Sequence, residues 1–174
     1  MGRTLLLTGP PGVGKTTVLQ KVARALSDRA VGFYTEEIRG ADGRRNGFRL
    51  VTLTGETAVM AHVDLRGQGC PRVSRYGVDV SAIEKVGVAA LRQGMAPDTM
   101  MIVDEIGKME LFCDAFRNAV LEAIDGEAIF VGTVMRGDHD WVDALKAREH
   151  VTVWEVTRGN RDELPERIRR WLTR

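Results

Sequence analysis

The eight residues Gly9-Pro-Pro-Gly-Val-Gly-Lys-Thr16 constrain this chain more than any other feature in it. They stand between an apolar run, Thr4–Thr8, and a helical pattern, Lys15–Arg29, in which Val18, Leu19, Val22, Ala23 and Leu26 recur on one face. The spelling is Gly-x-x-x-x-Gly-Lys-Thr in a strand–loop–helix setting. The glycines at 9, 12 and 14 let the backbone curl so that successive N–H groups converge on one phosphate. Those amides lead into the amino end of a helix, where unpaired N–H groups and the dipole favour an anion. Lys15 is long enough to reach β- and γ-phosphates, and the Thr16 hydroxyl suits Mg²⁺. The pattern predicts a nucleotide-phosphate site here.

Composition narrows the remaining choices. At 174 residues the chain suits a single α/β domain over residues 1–174 and needs neither metal nor disulfide to fold. With 25 Lys+Arg against 24 Asp+Glu the net charge is +1, which gives no reason to expect a nucleic-acid or membrane-surface partner. Cys70 and Cys113 lack metal-ligand spacing and read as free thiols. The opening residues have too short an apolar run for a signal peptide, Leu6 breaks the myristoylation pattern, and nothing approaches a membrane span. A cytoplasmic protein is the expectation.

Short apolar runs alternate with helical patterns, which is the grammar of a mainly parallel sheet covered by helices. Val31–Thr35, Thr99–Val103, Ala128–Val134 and Val151–Val156 read as further strands. Ser81-Ala-Ile-Glu84 reads as a capping box opening a helix to about Met95, ended by Ala96-Pro97-Asp98. Glu110–Ile124 reads as one amphipathic helix with Leu111, Phe112, Ala115, Phe116, Ala119 and Val120 inward. Trp141–Arg148 and a segment from about Asp162 complete the helices, Pro165 being tolerable in a first turn. Residues 36–79 depart from this rhythm. Asp42-Gly43 and Asn46-Gly47 are turn signals, and the stretch is expected to form a β-hairpin insertion after the second strand.

The strand Met100–Val103 ends in Asp104-Glu105. Ligands of open α/β sheets bind at the carboxyl ends of strands, the edge that carries the phosphate loop. Asp104 is therefore expected to face Mg²⁺ opposite Thr16, and Glu105 to orient the attacking water or accept its proton.

Gly9–Thr16, Gly32-Phe-Tyr-Thr-Glu-Glu-Ile-Arg39, Asp104-Glu-Ile-Gly-Lys-Met-Glu-Leu-Phe112 and Asn160-Arg-Asp162 occur in this order across nearly the whole chain. Together they resemble the THEP-type, or cancer-related, nucleoside-triphosphatase family. The resemblance implies a three-layer, RecA-like P-loop NTPase core, Mg²⁺ dependence, and hydrolysis of ATP, GTP, CTP, UTP and TTP to the diphosphate. It carries the nucleotide site onto Gly9, Pro10, Pro11, Gly12, Val13, Gly14, Lys15, Thr16 and Thr17. The second segment of that site falls on Asp104, Glu105, Ile106, Gly107 and Lys108. In this scheme Lys15 and Glu105 are catalytic, and Thr16 and Asp104 are the metal ligands. No family pattern aligns with Met135–Asp143.

Other residues keep two readings at this level. Lys108 reaches phosphate oxygens or pairs with Glu110; Thr133 senses the γ-phosphate or is structural. Arg136, Arg158 and Arg161 are each candidates for a transition-state arginine, and the Thr157–Asp162 loop is placed to touch the base. Asp138-His139-Asp140 reads as a solvated loop rather than a metal site, and His62 and His150 have no assigned role. Against hydrolysis stand a nucleotide or small-molecule kinase, with Arg39–Arg75 closing over an acceptor, and a nucleotide-switched binding module.

Overall fold

The computed structural model describes residues 2–26, 29–96 and 98–173. Its strands are β1 (Thr4–Thr8), β2 (Ala30–Arg39), β3 (Arg45–Thr52), β4 (Thr57–His62), β5 (Arg72–Val73), β6 (Tyr76–Val78), β7 (Met100–Ile106), β8 (Ile129–Val134) and β9 (Val151–Glu155). Its helices are α1 (Lys15–Ala25), α2 (Val80–Ala82), α3 (Ala89–Gln93), α4 (Asp114–Asp125), α5 (Asp140–Lys146) and α6 (Leu164–Leu172). The turns between α2 and α3, Ile83–Val88, are π-helical, so Val80–Gln93 runs as one continuous helical segment.

All nine strands join one sheet in the order β5-β6-β4-β3-β2-β7-β8-β1-β9. From β2 to β9 every pairing is parallel; from β2 outward to β5 every pairing is antiparallel. The sheet is therefore mixed rather than mainly parallel, because the strands of residues 36–79 extend the same ladder. In the parallel half the apolar runs are buried on both faces, as alternation demands. Leu6, Met101, Val103 and Phe130 enter one core with α4, α5 and the Val80–Gln93 segment. Leu5, Leu7, Met100, Ile102 and Val131 enter the other with α1 and α6. Val18, Leu19, Val22 and Ala23 are buried on α1 as their spacing requires.

Several local expectations are corrected. Asp42-Gly43 does turn the chain between β2 and β3, but Asn46-Gly47 lies inside β3. Gly47 is there for close approach, since a Cβ on it would stand 2.2 Å from the Ala61 carbonyl oxygen of β4. The β3–β4 turn falls at Thr54-Gly55 instead. The Ser81/Glu84 capping box does not form. Asp79, in an extended conformation, caps the segment by accepting the Ala82 N–H at 3.0 Å, and Ser81 and Glu84 are exposed. The predicted helix over Glu110–Ile124 is broken at Cys113 into a 3₁₀ turn, Glu110–Phe112, and α4. A 3₁₀ turn advances about 120° per residue instead of 100°, so Phe112 swings to 44% exposure while Glu110 turns inward to 4%. Helix α1 is described to Ala25; residues 27 and 28 of its expected length, and Pro97 in the expected stop after α3, lie outside the described residues.

The cap assignment is checked by chemical unfolding. Asp79→Ala should lower stability by about 1 kcal/mol, whereas Ser81→Ala should stay within about 0.5 kcal/mol of the parent.

Candidate functional site

The loop after β1 is shaped by its own backbone. Gly12 and Gly14 have φ of +73° and +113°, in the region that favours glycine, so the chain reverses before entering α1. Val13 is buried against the α1–α6 core and pins the loop. No side chain caps α1, which leaves its first N–H groups facing the loop, an arrangement that suits a phosphate. The Lys15 ammonium group folds back over the loop, donating to the carbonyls of Gly9 at 2.8 Å and Pro10 at 3.2 Å. Pro10 and Pro11 form the exposed outer bend, and Thr17 is exposed on the first turn of α1.

Asp104 is 1% exposed at the carboxyl end of β7. Its two oxygens are held separately. Thr16 Oγ1 donates to Oδ2 at 2.7 Å, and Thr133 Oγ1, from the end of β8, donates to Oδ1 at 2.6 Å. Thr133 is thus the residue that orients the aspartate, which is the structural one of the two readings its sequence position allowed. The β7–β8 ladder shifts register between Val103 and Ile106, and such an irregularity re-aims side chains. The Asp104–Glu105 peptide is cis. Glu105 lines a cavity of about 400 Å³ together with Gly9, Pro11, Lys15, Gly107, Lys108, Glu110 and Arg136. Thr35, Phe48, Met60, Val73, Met109 and Met135 form its remaining wall. Burial pushes the Glu105 carboxyl above the usual carboxylate range, Asp104 pushes it further, and Lys15 draws it back.

Glu110 is the residue that sequence reasoning missed. Within the expected helix it was a first-turn acid; the 3₁₀ turn carries it into the cavity wall, where its Oε2 accepts the Gly107 N–H at 3.2 Å. Burial, then the nearby charge of Glu105, raises its pKa to about 8, against the lowering effect of its backbone hydrogen bonds. It therefore carries a proton at neutral pH. The available signal was an acid standing in the short link between an apolar strand and an amphipathic helix, flanked by Met109 and Leu111.

The remaining candidates sort by place. Ile106 is fully buried and contributes its carbonyl to the Met135 N–H rather than a side chain to the cavity. Lys108 is exposed on the rim, and among the described residues no ion pair joins it to Glu110. Arg136 shares the cavity with Lys15 and Glu105 and lies 3.8 Å from Glu155. Arg158 lines an adjoining hollow beside Pro10–Val13, whose wall Arg136 shares, and does not line the cavity of Glu105. Arg161 donates to the Val13 carbonyl at 3.2 Å and borders a hollow with Gly14, Thr17, Lys21 and Asp162 at the other end of the loop. Asn160 ties that segment down, accepting from Thr157 N–H and donating to the Glu155 carbonyl, both at 2.8 Å. Asp138, His139 and Asp140 do not converge; among the described residues no three His, Cys, Asp or Glu side chains gather to hold an ion. Likewise no helix among them is long and apolar enough to cross a membrane.

Comparison with known proteins shows the family of the chain. A family model described as NTPase matches residues 4–169, and the chain belongs to that family. Among curated relatives, nucleoside-triphosphatase THEP1 of Thermotoga petrophila is 42% identical over 164 residues, covering 94% of this chain and 89% of that protein. The human cancer-related nucleoside-triphosphatase is 39% identical over 178 residues, covering 94% and 93%. The crystal structure of THEP1 from the hyperthermophile Aquifex aeolicus superposes with a TM-score of 0.87 at 34% identity, covering 98% of this chain and 99% of that one. The α/β fold with its single mixed sheet is thus shared with a solved relative.

The protonated state of Glu110 has a measurable consequence. A carboxyl whose pKa is raised by folding stabilises the folded state fully below its unfolded pKa and loses that contribution as pH rises through the folded value. With 4.5 as the ordinary value and about 8 in the fold, the stability of the parent relative to Glu110→Gln should decline between about pH 5 and pH 8. Urea unfolding of both proteins across that range measures the decline.

Proposed function

We propose that the chain is a Mg²⁺-dependent nucleoside-triphosphatase that hydrolyses ATP, GTP, CTP, UTP and TTP to the diphosphate and phosphate. In this reading residues 1–174 form one RecA-like P-loop domain, with residues 36–79 as an insertion of antiparallel strands. The observation that carries it is the convergence of three elements on one carboxylate: the start of α1, the end of β7 and the end of β8 meet at Asp104. The names of the relatives support the same activity.

The roles follow from placement. The curled backbone of Gly9–Gly14 and the amino end of α1 bind the phosphate chain, whose γ end faces the cavity holding Glu105. Lys15 exchanges the Gly9 and Pro10 carbonyls for β- and γ-phosphate oxygens. The Thr16 hydroxyl and an Asp104 oxygen are two hard oxygens 2.7 Å apart, a fit for a cation that takes one or two protein oxygens and completes its shell with phosphate and water. Thr16 and Asp104 would hold Mg²⁺ there, and the ion would supply positive charge to the phosphate chain. Glu105, its proton affinity raised by burial, orients the attacking water and takes its proton. Arg136 meets charge developing on the γ-phosphate from the same cavity. At the opposite end of the loop Arg161 and Asp162 border the space left for ribose and base. A guanidinium plane stacks on any base, so contact of that kind discriminates poorly among the five nucleotides.

One observation favours a second reading, transfer to an organic acceptor. The cavity wall beyond Lys15 includes Phe48, Met60, Met109 and Met135, and a triphosphate has no use for apolar surface. Labelled γ-phosphate appearing only as free phosphate across a panel of hydroxyl acceptors rejects that alternative.

Phosphate release from the five triphosphates, with Mg²⁺ and with chelator, tests the main proposal. Lys15→Ala should abolish turnover, and Glu105→Gln should keep Mg·NTP binding while cutting kcat roughly 10²-fold or more. Arg136→Ala should lower kcat by about tenfold or more, and Arg158→Ala should not. Failure of the pure folded protein to bind Mg·NTP overturns the proposal.

A further inference from the structure

Glu105 and Glu110 approach the same glycine. A Cβ built on Gly107 would lie 3.1 Å from Glu105 Oε1 and 3.1 Å from Glu110 Oε2, tighter than ordinary contact to both. The two oxygens are therefore no farther apart than twice that distance, and both border the space a Gly107 side chain would occupy. Gly107 does not have the left-handed φ that demands glycine, so its missing side chain serves space rather than conformation. Glu110 also accepts the Gly107 N–H, and the Leu111 N–H returns to the Gly107 carbonyl at 3.1 Å. The short link from β7 to α4 is thus folded around a buried carboxyl group.

That burial has no stabilising explanation by itself. A carboxyl group at 4% exposure costs free energy that an apolar residue in the same wall avoids. The other charged groups lining its cavity are Glu105, Lys15, Lys108 and Arg136, and the charges of Glu105 and Asp104 both act on it; among the described residues none forms an ion pair with it. What it does contact is the backbone that sets where Glu105 lies.

We propose that Glu110 is a positioning residue for the water-orienting Glu105, and that the two carboxyl groups grip Gly107 so that Glu105 is aimed at the γ-phosphate side of the cavity. This rests on the role given to Glu105 above. Glu110 acts as a neutral group: from the cavity wall it holds the Gly107 N–H, and it acts on the reaction through Glu105. Its loss displaces Glu105 without disturbing the phosphate loop, so the cost falls on kcat and not on KM. A misplacement of about 1 Å in a catalytic group costs on the order of 10²-fold in rate.

Steady-state kinetics with Mg·ATP on the full chain test this, with Glu105→Gln assayed alongside. Glu110→Ala should lower kcat roughly 10- to 100-fold with KM changed less than about threefold. Glu110→Gln keeps the acceptor and the volume and should recover most of that loss, which an ionised catalytic role does not allow. Gly107→Ala, permitted by its backbone, should lower kcat by about tenfold or more, and less in the Glu110→Ala background, because the truncated side chain leaves room for the methyl group. Should Glu110→Ala fail to fold, the Gln and Gly107→Ala variants still decide. Normal kcat in Gly107→Ala, or no recovery in a folded Glu110→Gln, overturns the proposal. If Glu105→Gln itself turns over normally, the reading of Glu105 falls; if only Glu105→Gln is impaired, the positioning role alone falls.

Discussion

The site depends on a single buried carboxylate that is not free to move. Asp104 sits in the interior with one oxygen bonded to Thr16 and the other to Thr133, so the loop after β1 and the ends of β7 and β8 are tied at one point. An aspartate so deeply buried is tolerated only because both oxygens have partners. The consequence is geometric. The amino end of α1 and the carboxyl end of β7 are separated by 88 residues in sequence, yet a hydroxyl of one stands 2.7 Å from a carboxylate of the other. Hydrogen bonds that satisfy a buried carboxyl group also assemble a pair of hard oxygens at the mouth of the glycine-rich turn.

Around that point charge is arranged by depth. Lys15, Lys108 and Arg136 bring positive charge to the cavity, and Glu105 and Glu110 are set into its wall. Burial raises the proton affinity of both acids, more clearly for Glu110, which is held neutral at physiological pH by its surroundings. One cavity therefore holds two carboxyl groups of different character a few residues apart, because one lies at the end of a strand and the other inside a tight turn. The antiparallel extension closes the cavity with Phe48, Met60 and Val73, which makes the mixed sheet part of the site and not an appendage to it.

The residues that a local pattern can spell were legible. Gly9–Thr16 carries its own geometry, the five parallel strands are announced by short apolar runs, and Asp104-Glu105 is marked by an abrupt change from apolar to acidic. Elements that depend on distant partners were not. Nothing near Gly47 says that β4 will press against it, so its neighbour Asn46 reads as half of a turn. The cap is a different case, a local competition in which Asp79, two residues before Ser81, takes the Ala82 N–H. The Glu110–Phe112 turn tightens because the chain must leave β7 and still lay Phe116, Ala119 and Val120 against the sheet, and that requirement belongs to the core and not to the turn.

The amino-acid sequence by itself determined that this chain would fold as alternating strands and helices with a tight glycine-rich turn near its start, since spacing, glycine placement and hydrophobic period act within a few residues of one another. Only the tertiary structure decided which side chains share that turn's cavity: Thr133 behind Asp104, Arg136 rather than Arg158 beside Glu105, and Glu110 inside rather than outside. Those outcomes turn on sheet order and on the rotation of one short link, and both are fixed by how two apolar faces are buried at once.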